Sequence, residues 1–326
     1  MDDDRLYPWL RTAWSGVQRA RAEGRLPHAL LLWGPAGVGK SDFAHLLARS
    51  LHCAGPDADG LPCGACDDCR LWAAGGHPDF HALRPEAQGK PIKVDPLREL
   101  CAQLAMSRHQ AAFKLALIEP AEAMNVNAAN SFLKTLEEPT DNTVILLVSA
   151  APARLPATIR SRCQALRMAA PEPGQALAWL RTRLPEGADA EALLELADGA
   201  PLRALALHEQ GLADKAAEWA QQLRAIAAHG ADPLPVAAEW LADAPRDALY
   251  WLHGWLRALI RRLSLGQPPA DGLQPPPEGL DWRRLFGLLD RVARALDEWA
   301  TGLNRQLMLE QILIDWRALW ERARRA

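Results

Sequence analysis

The feature of this chain that most restricts its fold is the glycine-rich segment 34–41, GPAGVGKS. It fits the pattern G-x-x-x-x-G-K-[ST], in which successive peptide N–H groups converge on phosphate oxygens. The apolar run 28–33 precedes it, and residues 40–52 carry apolar side chains at helical spacing. A strand, a turn and a helix N-terminus in this order form an anion site, so the sequence predicts nucleotide binding. The residues predicted to contact nucleotide are Gly34, Pro35, Gly37, Val38, Gly39, Lys40 and Ser41.

The chain alternates strand and helix patterns up to about residue 170. Residues 113–118 and 143–148 are apolar runs that predict buried strands, and residues 128–136 between them predict a helix. This alternation predicts an α/β fold with a parallel sheet covered on both faces. Later residues show only helical patterns, and the proline-rich segment 267–279 predicts a surface loop between helices. Most tryptophans of this helical part are expected to pack in its core.

Charge and hydropathy exclude several classes of protein. The 326 residues contain 37 Lys and Arg against 40 Asp and Glu, which gives a net charge of −3. A chain with this balance does not bind DNA through its bulk charge. Its start has no signal-peptide pattern and no apolar run reaches about 18 residues, so we expect a soluble cytoplasmic protein without a membrane role.

Acidic residues after the strand 113–118 bear on ATP hydrolysis. This strand runs into Glu119-Pro120-Ala121-Glu122. We expect Ser41 and Glu119 to reach Mg²⁺, but Pro120 stands where a water-polarising Glu is needed and cannot act as a base. Glu122 is expected to be a solvated residue at a helix start. The sequence therefore predicts a site that can hold ATP and Mg²⁺ with weak or absent hydrolysis.

Four of the six cysteines lie within 17 residues of one another, as Cys53-x9-Cys63-x2-Cys66-x2-Cys69. Two successive C-x2-C spacings let turns direct thiolates at one centre, and four thiolates suit tetrahedral Zn²⁺. Such a closed site is structural and leaves no position for a catalytic water. The alternative is a set of free cysteines in a loop.

Several motifs in the first 170 residues, in this order, resemble the clamp-loader AAA+ subunits of bacterial DNA polymerase III. They are the segments 26–29, 131–139 and 158–163, together with the glycine-rich turn and the cysteines. Within that family, other segments are similar to the non-hydrolysing end subunit rather than to the ATP-hydrolysing gamma/tau subunit. These segments are 77–80, 84–86, 92–99, 118–122 and 304–316.

The resemblance implies an architecture and a set of partners. It implies an AAA+ P-loop domain over 1–168 with a zinc module at about 53–69, a helical lid over 169–212 and an all-α collar over 213–326. The implied assembly is a hetero-pentamer with gamma/tau and delta subunits, which loads a sliding clamp on primed DNA.

The resemblance also implies roles for two arginines. Arg162 matches the arginine-finger position, which would enter the ATP site of a neighbouring gamma/tau subunit. Arg203 matches the second sensor and would contact the chain's own nucleotide, whereas Ala150 departs from the polar first sensor. One competing interpretation is a gamma/tau-like motor subunit with its own ATPase, and another is a zinc-bearing P-loop protein outside replication. Whether the chain is itself an enzyme stays open at this stage.

Overall fold

A computed structural model describes residues 6–87, 89–106, 111–268, 281–299 and 304–323. The chain divides into two compact units, Met1–Gln175 and Ala176–Ala326. The finer division of the second part at residue 212 stays a prediction. Most of the proline-rich segment predicted as a loop lies outside the described residues.

A five-stranded parallel sheet forms the centre of the first unit, in the order β2-β3-β4-β1-β5. The strands are β1 (Ala29–Trp33), β2 (Phe80–Leu83), β3 (Lys114–Ile118), β4 (Thr143–Ser149) and β5 (Gln164–Arg167). The helices are α1 (Arg11–Ala22), α2 (Lys40–His52), α3 (Asp67–Ala73), α4 (Val94–Ala105), α5 (Val126–Glu137) and α6 (Ala157–Arg160). The three strands and two helices predicted in this unit are confirmed, whereas the sequence did not reveal β2 and β5.

Burial explains which strands the sequence revealed. The central strands β1, β3 and β4 are buried on both faces, as their continuous apolar runs predict. Alternate residues such as Leu31, Ala116 and Leu147 pack into one core with α4 and α5. Helix α5 begins where the Asn125 side chain accepts a hydrogen bond from the N–H of Ala128. This packing fixes the carboxyl ends of β1, β3 and β4 side by side.

Helices make up the C-terminal part of the chain among its described residues. They are α7 (Pro173–Arg181), α8 (Ala190–Leu196), α9 (Pro201–Glu209), α10 (Leu212–His229), α11 (Pro233–Ala242), α12 (Pro245–Ser264), α13 (Trp282–Glu298) and α14 (Arg305–Ala323). The parallel sheet followed by helices confirms the predicted fold class. In this described part, no helix has the length and apolarity to cross a membrane.

Tryptophans dominate the core of the second unit. Neighbouring rings lie 5 to 6 Å apart, in a cluster that joins α10, α11, α12 and α14. Its members are Trp219, Trp240, Trp251, Trp255, Trp316 and Trp320. Trp282 differs, because 43% of its surface is exposed. The expected core role is confirmed for most of these residues.

Candidate functional site

The glycine-rich turn 34–41 connects β1 to α2, as the pattern predicts. Gly34, Gly37 and Gly39 have φ values of 155°, 78° and 88°. A side chain is disfavoured in this region, and a Cβ on Gly34 would lie 1.9 Å from the carbonyl oxygen of Met168. Helix α2 begins at Lys40, so its first N–H groups follow the turn directly. The residues predicted to contact phosphate are thus brought together at the carboxyl end of β1.

The Lys40 side chain lies inside this turn. Its Nζ donates hydrogen bonds of 2.9 Å to the Gly34 carbonyl and 2.6 Å to the Pro35 carbonyl. Burial lowers the pKa of Lys40, and the negative charges of Glu122 and Glu119 oppose this effect. The ammonium group therefore has carboxylates near it and carbonyl partners that a phosphate could replace.

Two aromatic residues before α1 cover the turn. The Tyr7 hydroxyl donates to Asp42 Oδ2 at 2.9 Å, and Trp9 Nε1 donates to the Val38 carbonyl at 3.0 Å. The rings of Tyr7 and Trp9 stack with their centroids 5.1 Å apart. A Cβ on Gly39 would lie 2.5 Å from the Tyr7 ring, so only glycine allows this contact. Sequence reasoning missed both residues, because no motif marks them.

A cavity of about 690 Å³ lies between α1 and the segment 164–175, and its lining includes none of residues 34–41. Trp9 and Met168, which both contact the turn, are among its lining residues. Its volume is within the range of small-molecule sites.

Glu119 has partners for both carboxylate oxygens. Oε1 accepts a hydrogen bond from the Ser41 hydroxyl, and Oε2 accepts one of 2.9 Å from Arg84 Nη2. Ser41 and Glu119 are the residues predicted to reach Mg²⁺. The Arg84 guanidinium already supplies Glu119 with the positive charge that a metal would provide. This arrangement therefore does not favour a divalent cation.

Glu122 is not the solvated residue that the sequence led us to expect, so this prediction is wrong. Its Oε1 accepts hydrogen bonds of 2.9 and 3.1 Å from the N–H groups of Ala150 and Ala151. Its Oε2 is buried without a hydrogen-bond partner among the described residues. The carboxylate therefore anchors the segment after β4. Pro120 carries no group that could polarise water.

Arg162 lies at the opposite end of the sheet from the phosphate-binding turn. It precedes β5, whose Gln164 is in register with Leu30 at the start of β1. With about 3.3 Å of rise per residue, about 13 Å of strand separate the level of Gln164 from that of Gly34, and Arg162 lies in the turn before Gln164. Arg162 Nε donates 2.7 Å to Glu137 Oε1, and Nη1 donates 2.9 Å to the Thr158 carbonyl. Its side chain is 34% exposed.

Arg203, the other arginine assigned by resemblance, belongs to the second unit, on α9. Burial lowers its pKa, and the charge of Asp198 opposes this effect. Its predicted contact with nucleotide stays a prediction.

The four cysteines predicted as metal ligands converge on one point. Their sulfur atoms all lie within 4.8 Å of one another, and the Cys63–Cys69 and Cys66–Cys53 sulfur pairs are 4.0 Å apart. Zn–S bonds of about 2.3 Å in a tetrahedron would place sulfurs about 3.8 Å apart, so the donor set fits zinc.

Backbone groups favour negative charge on the sulfur of Cys63. The N–H groups of Ala65 and Cys66 donate to Cys63 Sγ at 3.5 and 3.4 Å. These bonds lower the pKa of Cys63 to about 6, whereas burial raises the pKa of Cys69 to about 12. The cluster is held against α1, since Trp14 Nε1 donates 2.8 Å to the Asp59 carbonyl.

The first unit therefore places the glycine-rich turn with Lys40 at one end of its sheet and the Arg162 guanidinium at the other. A family model described as DNA polymerase III, delta subunit, matches residues 10–172. A DNA polymerase III gamma subunit-related protein from Thermotoga maritima has a TM-score of 0.51 and 18% identity. That comparison covers 93% of this chain and 98% of that one, and it supports the fold.

Two relatives extend over both units. DNA polymerase III subunit delta' of Pseudomonas aeruginosa is 39% identical, and the match covers 96% of this chain and 98% of the relative. The delta' subunit of Escherichia coli is 33% identical over 95% of each chain. On this evidence the chain belongs to the delta' subunit family of DNA polymerase III.

Proposed function

We propose that this chain acts in a DNA polymerase III clamp loader, where Arg162 completes the ATP site of a neighbouring gamma/tau subunit. The opposite placement of Arg162 and Gly34 on the sheet carries this proposal. Arg162 precedes the start of β5 and Gly34 follows the end of the parallel neighbour β1, so about 13 Å of strand lies between the turn that carries this guanidinium and the chain's own P-loop. This placement favours contact with a triphosphate held by another chain. A guanidinium supplied in this way neutralises charge on the γ-phosphate and links hydrolysis to subunit contact.

The same proposal assigns a modest role to the chain's own P-loop. The turn 34–41 binds nucleotide, with the cavity beside Trp9 and Met168 as the space for the nucleoside. Hydrolysis is weak or absent, because Pro120 replaces the residue that would activate water and Glu122 is bound to the peptide groups of Ala150 and Ala151. Arg203 is the further candidate contact for this nucleotide.

Partners and organisation follow from the family. The partners are the gamma/tau and delta subunits, and through them the sliding clamp and primed DNA. Residues 169–212 form the lid, and residues 213–326 form the collar through which the subunits assemble. The location is cytoplasmic, where replication takes place.

Zn²⁺ is the metal that we assign to Cys53, Cys63, Cys66 and Cys69. Four thiolates at these separations satisfy a tetrahedral ion and leave no open position, so the ion stabilises the loop and takes no part in catalysis.

The test is an assembled clamp loader with gamma/tau, delta, clamp and primed DNA. Arg162→Ala should reduce the DNA-stimulated ATP turnover of the complex by about tenfold or more, since arginine fingers contribute at least this much in related phosphoryl transfers. Arg160→Ala, a control at the end of α6, should leave turnover near the wild-type value. Lys40→Ala should change it little. If Lys40→Ala abolishes turnover while Arg162→Ala does not, the chain is a motor subunit.

A further inference from the structure

Arg84 is a residue that the clamp-loader role leaves unexplained. It directly follows β2, and Leu83 at the end of β2 is in register with Ile118 of β3. Arg84 follows the end of β2 and Glu119 follows the end of β3, so the two residues lie side by side. Arg84 Nη2 donates 2.9 Å to Glu119 Oε2 and lies 3.3 Å from His45 Nε2 on α2. The guanidinium is thus held between the acidic residue and the helix that starts at the P-loop.

The contact with Arg84 partly neutralises the Glu119 carboxylate and so weakens its attraction for a metal ion. The side chain of Glu119 is only 16% exposed, and its two oxygens are bound to Ser41 and Arg84. A divalent cation on Ser41 would need the negative charge of Glu119 and would stand next to a positive guanidinium. The Arg84 side chain is 58% exposed, so water screens this repulsion and limits its size.

We propose that this P-loop binds ATP or ADP as the metal-free anion, with Arg84 in place of a divalent cation as the partner of Glu119. The inference rests on the proposed nucleotide binding at residues 34–41. The Lys40 ammonium and the N–H groups at the start of α2 stabilise the negative charge of the phosphates. Without a metal the γ-phosphate lacks the charge neutralisation that hydrolysis requires, so the bound nucleotide persists as a structural ligand.

Calorimetric titration of ATP into the purified full chain tests this proposal, once with excess Mg²⁺ and once with EDTA. The wild type should bind ATP at least about tenfold more weakly with excess Mg²⁺ than with EDTA, because Mg²⁺ in solution sequesters the metal-free anion, whereas Arg84→Met should bind ATP at least as tightly with Mg²⁺ as with EDTA. Arg98→Met removes an exposed arginine of α4 that pairs with Asp95, and it should behave as wild type. Lys40→Ala should lose binding under both conditions.

A second measurement does not depend on affinity. Mn²⁺ added with ADP should give no tightly bound electron-paramagnetic signal in the wild type and a bound signal in Arg84→Met. A wild-type affinity that is equal or higher with Mg²⁺ would overturn the metal-free site while leaving nucleotide binding intact. Absence of ATP binding under both conditions would overturn the P-loop assignment as well. Neither result bears on Arg162, which is tested in the complex.

Discussion

Arg162 and Glu137 are joined by a hydrogen bond of 2.7 Å from Nε to Oε1. Glu137 is the last residue of α5, and Arg162 lies 25 positions later, just before β5. The two side chains are 34% and 48% exposed, so the pair is open to water on one side. A phosphate of a neighbouring subunit would have to compete with this carboxylate for the guanidinium. Glu137 therefore holds the proposed finger until such a neighbour is present.

Glu137→Gln should strengthen ATP binding by the assembled complex. The amide keeps the shape of the side chain and removes its charge, so Arg162 is released more easily. Half-exposed pairs of this kind contribute about 0.2–1 kcal/mol, which predicts a fall in the KM for ATP of roughly 1.4-fold to fivefold. Steady-state turnover of the complex with primed DNA measures this value.

Glu138→Gln is the matched control for that variant, because it removes the adjacent carboxylate. It should leave the KM for ATP at the wild-type value. A rise in KM for Glu137→Gln would contradict the competition model and would show that Glu137 directs the arginine toward the phosphate.

Loss of the cysteine cluster should remove a metal and destabilise the first unit. We expect about one equivalent of zinc in protein purified without chelator, and less than about half of that in Cys66→Ser. The free energy of unfolding should fall by at least about 2 kcal/mol, since a structural metal contributes to folding directly. Metal analysis and urea denaturation measure the two effects.

Cys101→Ser serves as the control, because Cys101 lies on α4 outside the cluster. It should retain the metal. A full equivalent of zinc in Cys66→Ser, or none in the wild type, would contradict the four-thiolate site.

Continuous burial made the centre of the sheet predictable. The apolar runs at β1, β3 and β4 stand out because both faces of each strand are covered, whereas β2 and β5 are short edge strands with partly exposed residues. The glycine pattern and the cysteine spacing were also readable, since both depend on local geometry.

The paired charges could not be predicted in this way. Arg84 meets Glu119 across 35 residues only because β2 pairs with β3, and β2 carries no clear strand signal. Glu122 was expected to face solvent because no sequence pattern places the N–H groups of Ala150 and Ala151 beside it. These contacts depend on sheet order and register, which tertiary packing decides.

Two glycines of the first unit should respond to alanine in opposite ways. Gly34→Ala places a Cβ 1.9 Å from a backbone oxygen at a φ of 155°, so it should lower the free energy of unfolding by more than about 2 kcal/mol. Gly16 lies in the interior of α1, and among the described residues no atom beyond its own stretch of helix lies within 4 Å of the place a Cβ would take. Gly16→Ala should raise stability by about 0.5–1 kcal/mol. Thermal or urea unfolding measures the stability of both variants. Equal changes in stability of the same sign would contradict the assigned geometry.

Stability of the second unit should depend on pH through Glu195. Arg262 donates to both carboxylate oxygens, at 2.9 and 3.0 Å, and this bonding lowers the pKa of Glu195. A carboxyl whose folded pKa is depressed stabilises the fold above its ordinary pKa, and the effect is lost as pH falls through the folded value. Glu195→Gln should therefore lower the free energy of unfolding by about 1 kcal/mol near neutral pH.

The difference between Glu195→Gln and wild type should close as the pH is lowered below the ordinary carboxyl range, because wild-type Glu195 then becomes neutral as well. Urea unfolding curves at several pH values measure this difference. Glu186→Gln removes an exposed carboxylate of the same unit and should follow the wild-type curve throughout. The contrary outcome is a free energy of unfolding of Glu195→Gln that stays below that of wild type by a constant amount down to acidic pH. The cause would then be packing of the side chain between α8 and α12 rather than the charge that Arg262 stabilises.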